Sequence, residues 1–207
     1  MKTVAKTPGS ARAAGKPTRR AAKLPGEIRL IGGQWKRTRL PVPDRPGLRP
    51  TPDRVRETLF NWLGQDLSGW RCADVFAGTG ALGFEAASRG AASVLMVEQD
   101  AALLAQLEAT RTRLKASAVR IERGDGVGVL RRQPAGSLDL VFLDPPFDSP
   151  AYDAALQAAA GVLSGHGQVY LEAATQWSEE VLAARGWTCR RHLKAGAVHA
   201  HLLARIA

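Results

Sequence analysis

Apolar residues recur along the chain in two rhythms, and from Trp70 onward the rhythms alternate. Cys72–Phe76, Ser93–Val97, Val119–Glu122, Leu138–Leu143 and Gln168–Glu172 are short apolar runs of strand length. Between them Ala81–Ser88, Asp100 to about Lys115, a short turn over Asp125–Arg132, and Tyr152–Leu163 carry helical spacing. Strand alternating with helix predicts a parallel sheet with helices on both faces. A last helix near Ser178–Ala184 precedes two strands, Thr188–Leu193 and Val198–Ala204. Lys194-Ala195-Gly196 is too short for a crossover and predicts a hairpin, so the sheet is expected to end with an antiparallel strand. The expected fold is α/β and Rossmann-like, with no internal repeat.

Upstream the pattern differs. Ile28-Arg29-Leu30-Ile31 reads as a short strand entering a turn at Gly32-Gly33. Thr51 as N-cap and Pro52 at the first helical position predict a helix, whose apolar face is Val55, Leu59, Trp62 and Leu63. Three regions follow: a tail over 1–25 that lacks acids and aromatics and is expected to be disordered, an arm over 26–50, and a main domain over 51–207.

Charge sharpens that division. Residues 1–50 hold thirteen Lys/Arg against two Asp/Glu, and residues 51–207 hold sixteen against seventeen. A nearly neutral body with a strongly basic arm points to a polyanionic partner. Within the arm Trp35, Lys36, Arg37 and Arg39 interleave cations with a ring, and Arg45, Arg49 and Arg54 continue the series. That mixture suits phosphate contacts and base stacking; a hairpin packed on the body is the plainer role for Trp35. The tail has the Arg-rich, acid-free composition of a transit peptide but no amphipathic period. Cys72 and Cys189 suit a reducing cytosol rather than a disulfide scaffold, and no apolar run is long enough to span a membrane.

The chemistry is expected at strand ends. Leu138–Leu143 stops abruptly at Asp144-Pro145-Pro146-Phe147, because neither proline can donate a ladder hydrogen bond. One carboxylate, rigid acceptor carbonyls and a ring are left at the edge where open parallel sheets bind ligands. Such a corner suits a flat, amino-bearing base whose nitrogen is the nucleophile. Gly78 to Gly83 satisfies G-x-G-x-x-G with Glu98 about twenty residues on, as a dinucleotide site asks. Asp74 argues against that reading, since a carboxylate before the glycine turn repels a pyrophosphate on the next helix. It suits the ammonium of S-adenosylmethionine instead, with Glu98 for the ribose and Asp125 for the adenine amine. His199 and His201 share one strand face without a third ligand and read as surface residues, so no metal is expected.

These residues resemble the RsmD family of bacterial 16S rRNA (guanine-N2)-methyltransferases. The likeness runs from Ile28 to about Gly196. It is densest in Ile31-Gly32-Gly33-Gln34-Trp35, Pro41-Val42-Pro43, Gly47-Leu48-Arg49-Pro50-Thr51 and the helix Asp53-Arg54-Val55-Arg56-Glu57-Thr58-Leu59-Phe60-Asn61-Trp62-Leu63. Phe76-Ala77-Gly78-Thr79-Gly80-Ala81-Leu82-Gly83 and Asp144-Pro145-Pro146-Phe147 complete it. The resemblance implies a class I methyltransferase with a seven-stranded, mostly parallel sheet, S-adenosylmethionine as cofactor, and methylation of guanine 966 on its exocyclic amine. It implies a cytoplasmic protein acting on 16S rRNA, expected in an assembling small subunit and expected as a monomer. Asp74, Gly78 and Gly80 would hold the methionine end and Glu98 the ribose, with Phe76 also in the cofactor site, and Asp144, Pro145, Pro146 and Phe147 would hold the guanine. The family pattern has Ser at Thr79, Asn at Asp125, and aromatics at Ala200 and Leu203. A DNA adenine-N6 methyltransferase, a protein glutamine methyltransferase and a non-catalytic ribosome-assembly factor are the competing readings.

Overall fold

The computed structural model of the chain describes Met1 and residues 26–45, 48–147 and 149–206; the basic tail over 2–25 lies outside the described residues. An antiparallel pair, β1 (Glu27–Arg29) with β2 (Arg39–Pro41), opens the fold, followed by α1 (Asp53–Trp62). Strands and helices then alternate: β3 (Arg71–Asp74), α2 (Ala81–Ser88), β4 (Ser93–Glu98), α3 (Ala101–Leu114), β5 (Val119–Arg123) and α4 (Gly126–Arg131). The second half continues with β6 (Leu138–Leu143), α5 (Ala151–Val162), β7 (Leu163–Ala173), α6 (Glu179–Ala183), β8 (Trp187–Ala195) and β9 (Val198–Arg205).

Among the described residues, seven strands form one sheet in the order β5-β4-β3-β6-β7-β9-β8. β3 pairs in parallel with β4 on one side and with β6 on the other. The chain therefore reverses direction across the sheet between β3 and β6, which leaves a crevice at their carboxyl ends. The antiparallel strand closes the chain but not the sheet. β9 lies between β7 and β8, antiparallel to both, and β8 takes the edge.

Alternate residues of the central strands feed two cores, because successive side chains leave a strand on opposite faces. Cys72, Met96, Leu140 and Phe142 join Val55, Leu59 and Phe60 of α1, Phe84 of α2 and Leu107 of α3. Ala73, Leu95, Val97, Val141 and Leu143 face α4 and α5 on the other side. The arm belongs to the first core: Ile28, Leu30, Leu40 and Val42 are buried in it. Each fully buried Leu contributes about 2 kcal/mol or more.

The arm is also held by charge. Glu85, buried in α2, accepts the backbone N–H groups of Ile31 and Gly32, each at 2.8 Å. Arg56 and Arg89 neutralise it at 3.2 and 2.9 Å. Arg56 also donates to the carbonyls of Thr51 and Arg29 and to Asp53. An acid in so apolar a helix is tolerable only with that degree of satisfaction.

Three expectations need correction. Thr51 is not the N-cap of α1; Pro52 occupies that place without a side-chain bond, and the Thr51 hydroxyl bonds Glu172 instead. β7 begins at Leu163, ahead of the expected Gln168, through a register shift against β6 between Leu138 and Leu140. His201 is not a surface residue: it is buried, and its Nε2 accepts the Trp177 N–H at 3.2 Å.

Candidate active site

A cleft of about 650 Å³ opens at the carboxyl ends of β3, β4 and β6, a volume suited to a cofactor and part of a second reactant. Asp74, Phe76, Gly78, Glu98 and Asp125 line one part of it, and Asp144, Pro145, Pro146 and Phe147 the other. Arg45, Leu48, Arg49, Pro50 and Thr51 form a wall from the arm side. Residues distant in sequence thus meet because each acid ends, or directly follows, a neighbouring parallel strand.

Each carboxylate is oriented by the backbone. Asp74 is 2% exposed, and its Oδ2 accepts the Gly83 N–H at 2.9 Å in the first turn of α2. Burial pushes the Asp74 carboxyl up to about 7, with Glu98 and Glu172 adding to the effect and the N–H groups of Gly83 and Phe76 opposing it. The helix terminus that would hold a pyrophosphate is therefore already taken by a carboxylate. Glu98 Oε2 accepts the Gly78 N–H at 2.9 Å, and Oε1 those of Gln99 and Asp100 at 2.7 and 2.9 Å. Asp125 caps α4, its Oδ2 accepting Gly128 N–H at 2.7 Å. Gly126 lets the start of α4 lie against the segment just after β3, since a Cβ there would fall 2.0 Å from the Val75 carbonyl oxygen.

Gly80 behaves differently from the other glycine named for the cofactor. Gly78 lines the cleft, whereas Gly80 caps α2 at φ +81, and a Cβ on it would meet Leu107 and Phe84 at 2.7 Å. It shapes the turn from beneath.

The acceptor corner contains a residue the sequence reading did not single out. Glu172 is 2% exposed, near the end of β7, and lines the same cleft. Its Oε1 accepts the Tyr170 hydroxyl at 2.8 Å. Burial raises its carboxyl, while the hydroxyls of Tyr170 and Thr51 and the charges of Arg49 and Arg56 act the other way. Burial, with Glu172 and Asp74 nearby, holds Asp144 well above the usual carboxylate range, and Arg49 opposes this. The available signal was the one used elsewhere: an acid closing the apolar run Val169-Tyr170-Leu171.

The arm residues divide. Arg49 lines the cleft, and Arg54 is exposed on α1 beside it. Trp35, Lys36, Arg37 and Arg39 lie away from it, in and just after the turn between β1 and β2. Trp35 packs partly buried against the first core, Arg39 pairs with Glu27 at 2.9 Å, and Lys36 and Arg37 are exposed. Among the described residues no group of His, Cys, Asp and Glu could hold a metal ion, and no helix is long and apolar enough to cross a membrane.

The acids of the cleft have the chemistry that S-adenosylmethionine asks for. A buried acid beside the glycine turn, a second at the end of β4 and a third at the start of α4 match an ammonium, a ribose diol and an adenine amine. All three are acceptors, and none is neutralised within the cleft by a buried cation. The residues fit.

Comparisons with known proteins show the family of the chain. The family model described as conserved hypothetical protein 95 matches residues 28–204. The chain is 41% identical over 184 residues to ribosomal RNA small subunit methyltransferase D of Escherichia coli K12, covering 88% of this chain and 92% of that protein. It is 37% identical over 178 residues to the Haemophilus influenzae protein of the same name, covering 84% and 91%. The solved structure of the Escherichia coli protein yhhF superposes with a TM-score of 0.75 at 40% identity, covering 88% of this chain and 99% of that one.

Proposed function

The chain belongs to the RsmD family of ribosomal RNA methyltransferases, and from that premise we propose that it methylates the exocyclic amine N2 of guanine 966 in 16S rRNA, using S-adenosylmethionine. The carrying observation is one cleft with two halves: three oriented acids around the glycine turn, and Asp144-Pro145-Pro146-Phe147 beside them. When bound, the cofactor supplies an electrophilic methyl carried on a sulfonium. Asp74 receives the ammonium, Glu98 the ribose hydroxyls, and the free Oδ1 of Asp125 the adenine amine.

A guanine N2 is a weak nucleophile because its lone pair is delocalised into the ring. Asp144 and the Pro145 carbonyl accept its N–H bonds and draw the nitrogen toward tetrahedral geometry. Positioning then lowers much of the barrier. The target base leaves its stack to reach the cleft, and Phe147 with Pro146 offers a replacement surface. The Asp144 carboxylate, placed to hold the N2 amine, would take up the proton that the amine sheds.

Arg49 and Arg54 at the rim, with Lys36 and Arg37 on the β1–β2 turn, supply the phosphate contacts in this reading, and Trp35 holds that turn on the body. The substrate is 16S rRNA within an assembling small subunit, met by a cytoplasmic monomer. Labelled methyl transfer to rRNA from a strain lacking the protein, followed by mapping, tests the reading. Label on an N2 of guanine is expected; label elsewhere, or none, would overturn it.

A further inference from the structure

Glu172 poses a problem that the roles above leave open. Parallel pairing sets Leu143 of β6 opposite Leu171 of β7, so the next residues, Asp144 and Glu172, leave adjacent strands at the same level. Both line the cleft. Two neighbouring carboxylates in a poorly solvated place repel each other and lose hydration, which is a cost to folding. Among the described residues no cation forms an ion pair with Glu172, and Arg56 and Arg49 act on it only through their charge. Arg56 is saturated by Glu85, Asp53 and the carbonyls of Thr51 and Arg29. Arg49 is exposed at the rim.

Glu172 is nevertheless held firmly. The Tyr170 hydroxyl fixes Oε1 at 2.8 Å, and the Thr51 hydroxyl bonds the same carboxylate. The Tyr152 hydroxyl donates to its backbone carbonyl at 3.2 Å. Tyr170 is itself wedged edge-on against Phe142, with ring centres 6.2 Å apart. A costly charge, oriented by two hydroxyls and aimed into a cleft, is a ligand acceptor awaiting donors.

The donors follow from base chemistry. A guanine Watson–Crick edge carries N1–H and the N2 amine side by side, then the O6 acceptor. Adenine, cytosine and uracil each place an acceptor next to their donor. We propose that Glu172 is a base-recognition residue, which with Asp144 forms a two-carboxylate edge reading the adjacent N1–H and N2–H donors of guanine, with Arg49 on the O6 side. The proposal rests on the guanine-N2 reading above and extends it: Asp144 serves the reacting amine, and Glu172 selects the base by its neighbouring N1–H.

The test uses 2,6-diaminopurine, which keeps the 2-amino nucleophile but turns the N1–H donor into an acceptor and O6 into an amine. Small subunits are assembled with rRNA carrying guanine or diaminopurine at the mapped position, and kcat/KM is compared for the parent and Glu172→Gln. The parent should prefer guanine by roughly 10- to 100-fold, the range of one well-placed base contact. Glu172→Gln, whose amide can donate to N1, should lose most of that preference by falling on guanine far more than on diaminopurine. S-adenosylmethionine affinity should stay within about twofold. An unchanged preference ratio overturns the proposal. If Glu172→Gln does not fold, Tyr170→Phe decides, since it only loosens the carboxylate: a reduced ratio supports the proposal and a parental ratio overturns it. A parent that labels no guanine N2 refutes the underlying reading instead, and that outcome is seen before any variant is made.

Discussion

Replacing Asp74 by Asn isolates the charge at the centre of the cofactor half of the cleft. The amide oxygen can still accept the Gly83 N–H that Asp74 accepts at 2.9 Å, so the turn should survive. In the folded protein burial moves the Asp74 carboxyl from 3.8 to about 7. At 1.4 kcal/mol per unit this is about 4 kcal/mol, of which about 2–3 kcal/mol is lost between pH 5 and pH 8. The sign follows from proton counts. Between pH 4 and 7 the folded state holds a proton that the unfolded state has lost, so stability falls as pH rises through that window. The free protein should therefore melt lower at pH 8 than at pH 5 by about 5–10 °C more than Asp74→Asn does, at about 2–4 °C per kcal/mol for this size. Cofactor binding shows the converse. An ammonium requires the ionised acid, so affinity should rise by up to about a hundredfold from pH 5 to pH 8 in the parent and hardly change in the variant. Differential scanning fluorimetry and calorimetry with S-adenosylmethionine at the two pH values measure both. Parallel melting profiles and an equal pH dependence of affinity for parent and variant would refute the reasoning.

Asp144→Ala should retain the fold and S-adenosylmethionine affinity while methyl transfer falls by orders of magnitude, and Asp144→Asn should retain part of the rate if positioning alone matters; single-turnover kinetics distinguish them. Glu85→Gln leaves Arg56 and Arg89 buried around a neutral group and should cost about 3–5 kcal/mol in urea unfolding, with proteolysis appearing first near Ile31. Deleting residues 1–25 removes seven Lys/Arg and should make the salt dependence of rRNA binding shallower, read as the slope of log affinity against log salt. An unchanged slope would leave Arg49, Arg54, Lys36 and Arg37 as the phosphate contacts.

The strand ends were the legible part of this chain. Apolar runs stopped by an acid marked Asp74, Glu98 and Asp144, and the structure gathers all three on one cleft. Glu172 escaped because the strand end it marks is followed by alanine and threonine rather than by a glycine turn or prolines, so nothing local distinguished that end as a site. Thr51 was misread for a related reason. Threonine before proline has the local form of an N-cap, and only the tertiary approach of β7 shows that its hydroxyl has another partner. Glu85 was invisible to pattern reading, since its role is to bind an arm more than fifty residues away. β7 starts early because Leu163 pairs with Leu138, and Ser164-Gly165-His166-Gly167 fall in the register shift before pairing resumes at Gln168 beside Leu140.

Leu48 lies against the glycine turn, within 3.2 Å of where a Cβ on Gly78 would stand. The next three residues, Arg49, Pro50 and Thr51, border the acceptor corner. One short connector thus touches the seats of both reactants, and whatever ordering it undergoes for one is already done for the other. Thermodynamic reciprocity then requires that the factor by which S-adenosylmethionine tightens rRNA equal the factor by which rRNA tightens S-adenosylmethionine. Measured as two separate titrations, equal factors above one would make the enzyme a cooperative collector of its reactants, and a factor of one would make the connector a passive wall.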